Sequence, residues 1–247
     1  MSERSFRPAM TPQQEKLVSS NPISAYKELA VGDRSLLYFL WFEILNLFIS
    51  GIPGFVGFAL RTVLYPSIFK KIVGRAAFGR GIVLRNSSNV SLGKRVMIDD
   101  YAVLDVRGSD SSITFGDFVT VGRFSTVTAK HAVIDIQDGA NVGSYCRIAT
   151  QSKVKIGRSV LIGAYSYIGP GNHQRGDENT PLISREMEIK GGVEIGDHVW
   201  IGAGVTILDG VKIGDGAVVG ANSLVRDDVP AGVTVVGVPA KIVKSGN

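Results

Sequence analysis

Cysteine is nearly absent. The 247 residues hold one, Cys146, which excludes an intrachain disulfide framework and any zinc cluster built on cysteine. Histidine is almost as scarce, with three in the chain: His131, His173 and His198. A zinc site made of histidines draws three ligands to one point, two of them close in sequence, and these three are widely spaced, so no metal is expected. Long blocks of lysine and arginine are missing, and no nucleic-acid module is recognisable. The formal charge of +5 and the pI near 9.3 therefore point away from nucleic acid. They favour phosphorylated cofactors, acidic glycans or membrane headgroups. No cleavable signal segment is evident, since the first apolar run starts at Leu36 behind a polar stretch without a small-x-small cleavage pattern. A cytoplasmic protein is expected.

An unbroken membrane span is also lacking. The stretch "SLLYFLWFEILNLFISGIPGFVGFALRTVLYPSIF" carries only Glu43 as a charge between Leu36 and Leu60, and its length approaches the roughly 20 residues that cross a bilayer. Gly51-Ile52-Pro53-Gly54 divides it, because proline removes an amide donor and clashes with the preceding turn. Two helices of roughly 15 and 12 residues result, each too short at about 1.5 Å per residue for a core of about 30 Å. Lys27 and Arg34 flank one end; Arg61, Lys70, Lys71 and Arg75 flank the other. Basic residues on both sides specify no crossing direction. The pattern predicts a helical hairpin over residues 36–66 that dips into one leaflet of a membrane or lies in its interface, or one that packs on protein. Trp41, Tyr38 and Tyr65 fit a headgroup-level belt or a core equally well. Ahead of it, residues 1–30 read as a polar arm with at most one short helix around Gln13–Ser19.

Glycine, by contrast, is abundant at 30 residues, and it is periodic. Ile189, Ile195, Ile201, Ile207, Ile213, Val219 and Val225 fall six apart, and glycine follows four of them, at 196, 202, 214 and 220. Four residues after successive aliphatics come Val193, Val199, Val205, Val211, Ala217 and Ser223. The template also fits Leu92, Ile98 and Leu104; Phe115, Val121 and Val127; Ile136, Val142 and Ile148; and Ile156, Ile162 and Ile168. Positions six apart lie on different faces of a helix. A short strand and a corner in every six residues places the small residue and the next aliphatic on one side, with glycine easing the turn. Stacked units of that kind form a parallel β-solenoid. Cys146 falls in a small inward slot and reads as core.

The stretch "VEIGDHVWIGAGVTILDGVKIGDGAVVGANSLVRDDVPAGVTVVGVPAKIVK" resembles the hexapeptide-repeat acyltransferases, the family of maltose, galactoside and chloramphenicol-type xenobiotic acetyltransferases. The resemblance covers residues 80–244 and is most specific over 189–244, through "VWIGAGV", "DVP" and "GVPAK". It implies a left-handed parallel β-helix, so the expected fold is mainly β, with the short apolar helical region read above ahead of it. It further implies a homotrimer with active sites between neighbouring prisms, and acetyl-CoA as co-substrate. Residues 1–75 then form the arm and hairpin. Residues 76–247 form the β-helix, with an active-site loop over 169–188 and a cap over 226–247.

That loop, "IGPGNHQRGDENTPL", interrupts the six-residue beat, and in the family a histidine at its start is the general base. His173 stands there. A sugar hydroxyl attacking a thioester must lose a proton in the transition state, and imidazole suits that task at pH 7. Asp177 or Glu178 is the candidate to orient the ring. By the same resemblance Trp200 borders the pantetheine arm, the backbone at Ala203 and Ala221 pairs with pantetheine amides, and Arg226, Lys241 and Lys244 lie near the adenosine phosphates. Relatives carry arginine at the last two positions, and lysine cannot form the bidentate contact. Sugar-acetylating relatives also carry an asparagine where this chain has Gly143, with Asn141 and Ser144 nearby.

The expectation is an O-acyltransferase acting on a sugar of a surface glycan or its lipid-linked precursor, peripheral to the inner face of the cytoplasmic membrane. A soluble serine acetyltransferase shares the implied fold, but its helical front end is not expected to be this apolar. A non-catalytic β-helix scaffold and a zinc hydratase of the γ-carbonic-anhydrase type are the competing classes.

Overall fold

A computed structural model describes residue 18 and residues 21–169, 172–175 and 181–244. Three helices come first: α1 (Pro22–Val31), α2 (Leu36–Phe48) and α3 (Gly54–Leu64). The first corrects the expectation of a polar arm up to residue 30. Asn21 accepts a hydrogen bond from the Ile23 amide at 2.9 Å, and Pro22 occupies the first turn. Both are helix-start devices, and Ala25, Ala30 and Val31 are buried. The short helix expected around Gln13–Ser19 falls, apart from Val18, outside the described residues.

Helices α2 and α3 form the expected hairpin, with 13 and 11 residues, and span about 20 and 16 Å at 1.5 Å per residue. Among the described residues no helix is long and apolar enough to cross a membrane. Phe39, Phe42 and Leu45 turn inward from α2. Leu37, Leu47, Phe48, Phe55, Val56 and Val63 stay exposed. Glu43 does not interrupt that outer face, because its carboxylate accepts from the Tyr26 hydroxyl of α1 at 3.0 Å.

Arg61 is a second correction. Counted from sequence among the flanking cations, it is instead buried at 2% exposure. Its Nε donates to the Phe78 carbonyl at 3.0 Å and its Nη1 to the Ile52 carbonyl at 2.8 Å. The guanidinium thus satisfies the loose carbonyls of the α2–α3 turn and ties the hairpin to the first coil. Tyr65 likewise leaves the proposed aromatic belt, since it is wholly buried against Phe78. Tyr38 donates its hydroxyl to the Ile68 carbonyl at 2.6 Å.

From Lys71 onward the chain winds as a parallel β-solenoid of about seven coils, which fits a left-handed β-helix. Each coil contributes one short strand to each of three sheets. The first sheet runs from Lys71–Ile72 to Lys212–Ile213, and the second from Ala77–Phe78 to the closing hairpin Thr234–Gly237 and Ala240–Lys244. The third runs from Val83–Arg85 to Leu224–Val225. The aliphatic ladders are in register: Ile136 beside Ile156 beside Ile195, Val142 beside Ile162 beside Ile201, and Ile148 beside Ile168 beside Ile207. All nine are buried, as is Cys146. Ile189 is the exception among the expected ladder members. It is 54% exposed, because it belongs to the returning limb of the loop, and the ladder resumes at Val193.

The glycines after the aliphatics do not work by easing the turn. A β-carbon on Gly202 would stand 2.5 Å from the Ala221 nitrogen, and one on Gly163 would stand 2.5 Å from the Ala203 nitrogen. Coils approach so closely there that only hydrogen fits. Corner carboxylates complete the stacking: Asp215 Oδ1 accepts from the Asp197 amide, and Asp197 Oδ1 accepts from the Arg158 amide. The first pair is 18 residues apart and the second 39. The long insertion is therefore looped out of a ladder that closes behind it.

Candidate functional site

The loop leaves the third sheet after Ile168. Its two limbs meet as an antiparallel pair, Asn172 opposite Glu188 and His173 opposite Met187, so His173 is held on paired backbone rather than on a free tip. Its side chain is exposed, with Nδ1 3.2 Å from the Arg185 carbonyl oxygen. A carbonyl only accepts, so that contact places the proton on Nδ1 and leaves the Nε2 lone pair free. His173, Gln174, Arg175, Glu188 and Lys190 line an open pocket of about 870 Å³. Asp177 and Glu178, the expected orienters, lie outside the described residues. Among the described residues the contact at Nδ1 is the Arg185 carbonyl.

A smaller pocket of about 320 Å³ adjoins the foot of the loop, on the outer side of the third sheet. Met187 and Glu188 form part of its wall, with Arg107, Lys130, Arg147 and Tyr167 facing it. Glu188 lines both openings. None of the residues on the sheet side of this pocket stood out in the sequence.

The residues expected to meet the cofactor sit on the coils beyond the loop. Trp200 is 55% exposed. It shares one row across neighbouring strands with Val218, Thr234 and Lys244, which puts the lysine's strand about 14 Å away at ~4.8 Å per strand. Lys241 pairs with Val236 on the same hairpin. Ala203 and Ala221 are exposed on adjacent coils, and among the described residues neither amide N–H has a backbone acceptor. Arg226 leaves the third sheet instead, with Asp227 as its ion-pair partner at 3.4 Å. The structure thus groups Trp200 with the two lysines on the second sheet, and it shows no contact between Arg226 and them.

The other two histidines stand apart. His131 Nδ1 lies 3.0 Å from Asp110 Oδ1, and His198 occupies an exposed corner with its amide on the Arg158 carbonyl. Among the described residues no three His, Cys, Asp or Glu side chains are grouped to hold a metal ion. Gly143 is constrained by stacking: a β-carbon there would stand 2.7 Å from the Ile162 carbonyl oxygen. No asparagine side chain fits at that position.

A solenoid of six-residue units is the fold feature this chain shares with hexapeptide-type transferases. The family described as bacterial transferase hexapeptide (six repeats) matches residues 192–227. WbbJ of Escherichia coli (strain K12), named as a lipopolysaccharide biosynthesis O-acetyl transferase, is 40% identical over 147 residues, spanning 56% of this chain and 74% of WbbJ. The dTDP-4-amino-4,6-dideoxy-D-glucose acyltransferase of Escherichia coli is 32% identical over 155 residues, spanning 62% of this chain and 70% of that protein. Among solved structures, AntD, an N-acyltransferase from Bacillus cereus in complex with dTDP and coenzyme A, superposes with a TM-score of 0.52. It is 21% identical over 74% of this chain and 88% of AntD, a likeness of fold. The chain belongs to the hexapeptide-repeat transferase family, and it is an acyltransferase.

Proposed function

We propose that the chain is an acyl-CoA-dependent O-acyltransferase that moves an acetyl group from acetyl-CoA to a hydroxyl of a sugar, in a surface glycan or its lipid-linked precursor. The observation that carries the reading is the disposition of His173: an exposed ring held at Nδ1 by a carbonyl, on the wall of the open pocket at the root of the loop. Nε2 removes the hydroxyl proton as the sugar oxygen bonds to the thioester carbonyl carbon. Collapse of the tetrahedral adduct breaks the carbon–sulfur bond, and the departing thiolate takes the proton back from the imidazolium. The imidazolium formed in between is stabilised at Nδ1–H by the Arg185 carbonyl.

Trp200, the unpaired amides of Ala203 and Ala221, and the lysines at 241 and 244 give the acyl donor an apolar wall, two hydrogen-bond donors and a cationic end in that order along the solenoid. Arg226 is a separate cation for the donor phosphates. In a homotrimer the donor on one prism would face the loop of its neighbour. The outer face of α2 and α3, with Lys70 and Lys71 at its edge, is the proposed contact with the inner surface of the cytoplasmic membrane, where lipid-linked acceptors are found.

Free CoA release from acetyl-CoA, measured with sugar acceptors for the wild type and for His173→Ala, tests the assignment. Acceptor-dependent release falling a hundredfold or more is expected for a lost general base. Equal rates would remove His173 from the chemistry. Absence of both release and CoA binding would make the solenoid a scaffold.

A further inference from the structure

Position 143, where the family resemblance leads one to expect an acceptor-binding asparagine, is glycine and admits no side chain, because a β-carbon there would stand 2.7 Å from the Ile162 carbonyl oxygen of the next coil. Acceptor recognition must rest on other residues. The 320 Å³ pocket under the returning limb of the loop offers them, at a size near the lower end of small-molecule sites.

Its polar groups divide into those already satisfied and those left over. Asp105 is buried and held by Arg107, whose Nε and Nη2 donate to Oδ2 at 2.9 and 2.5 Å, with Arg85 at 3.9 Å. Asp209 spends its two oxygens on the amides of Lys190 and Gly192. Lys130 and Arg147 have no carboxylate partner among the described residues. The Arg147 guanidinium lies over the Tyr167 ring at 5.8 Å from its centre, a cation–π contact. Thr126 and Thr128 line the pocket with them, on the strand that carries Lys130 and beside Arg147 of the next. Glu188 is the remaining acid, on the loop side, and it also borders the pocket that holds His173.

We infer that this pocket receives the acceptor, and that the acceptor is an anionic pyranose. Lys130 and Arg147 hold its phosphoryl or carboxyl group, the threonine hydroxyls and Tyr167 hold the ring, and Glu188 marks the side on which the reacting hydroxyl emerges toward His173. The inference rests on the O-acyltransferase reading and narrows its substrate class.

Calorimetric titration of the full chain with glucose 1-phosphate, glucuronate and glucose tests it without turnover, and a CoA titration in the same series tests the wider reading separately. At least one of the two anionic sugars is expected to bind tenfold or more tightly than glucose. That advantage should disappear in Lys130→Gln and in Arg147→Gln, and shrink in 0.5 M salt. Arg147→Lys keeps the charge without the planar stack and should retain part of it. Equal affinity for all three sugars would overturn the inference, as would an anion preference that survives both glutamine variants. Failure to bind CoA would instead strike the acyltransferase reading, with the sugar titrations still deciding this one.

Discussion

Single residues in this chain act mostly through what their neighbours leave unfilled. Gly202 and Gly216 both occupy corners but for different reasons. Gly202 faces backbone of the next coil, whereas Gly216 has open space around it and a φ of +67°. Replacing each with alanine separates the two roles. Gly202→Ala is expected to cost about 3 kcal/mol, the upper range of overpacking against atoms that cannot yield. Gly216→Ala should cost about 1 kcal/mol for the left-handed backbone alone; urea unfolding reads both. Arg61→Met should cost about 3 kcal/mol by the same measurement, since it strips hydrogen bonds from buried carbonyls of the α2–α3 turn. Burial also pushes the Cys146 thiol up, above its ordinary value. A thiol reagent at pH 7 is thus expected to leave the folded chain untouched and to label it once in denaturant. Rapid labelling of the folded protein would contradict the core assignment.

At the level of elements, strands were far more legible than helices. A coil repeats its inward aliphatics with a fixed beat, so Ile195, Ile201 and Ile207 announce a parallel solenoid without reference to any contact, whereas three strands per coil were implied only by the family resemblance. Helix α1 carries no such repetition, and its signal reduces to one cap, Asn21-Pro22, inside a polar stretch. The hairpin was readable because Pro53 and Gly54 break a long apolar run. Which way its lone arginine points was not, since a periodic pattern says nothing about carbonyls left open by a turn some ten residues earlier. The unpartnered face of α2 and α3 carries its own prediction. Wild-type protein should sediment with anionic lipid vesicles, and Leu37→Glu combined with Phe55→Glu should abolish that while leaving CoA binding intact. Equal sedimentation of both proteins would rule the face out as a membrane contact.

Over the whole molecule, the corner pairs act as stitches between coils, and one of them closes the ladder behind the inserted loop. Arg158 donates through Nε and Nη2 to Asp197 Oδ2 at 2.9 and 2.6 Å, and this holds the Asp197 carboxyl below the usual carboxylate range. A depressed carboxyl stabilises the fold above the ordinary value near 4, and that contribution is lost as pH falls through the lower folded value. The melting temperature of the wild type should therefore exceed that of Asp197→Asn at pH 6, and the two should converge as the pH falls below about 4. A gap that is constant down to pH 2 would mean the pair contributes nothing through its charge. The position of the candidate site was visible from the break in the beat around His173. Its acceptor side was not, because coil lengths vary. Lys94 and Asp117 are 23 residues apart across one coil and Asp197 and Asp215 are 18 apart, so outward residues such as Arg107, Lys130 and Arg147 share no fixed period.

Because Ile156 is followed in its ladder by a residue 39 positions later with no fault in the pairing, scaffold and insertion are separately editable. The loop behaves as a cartridge seated between two rungs that already fit each other. A lineage can exchange its contents while each rung above and below keeps the partner it had.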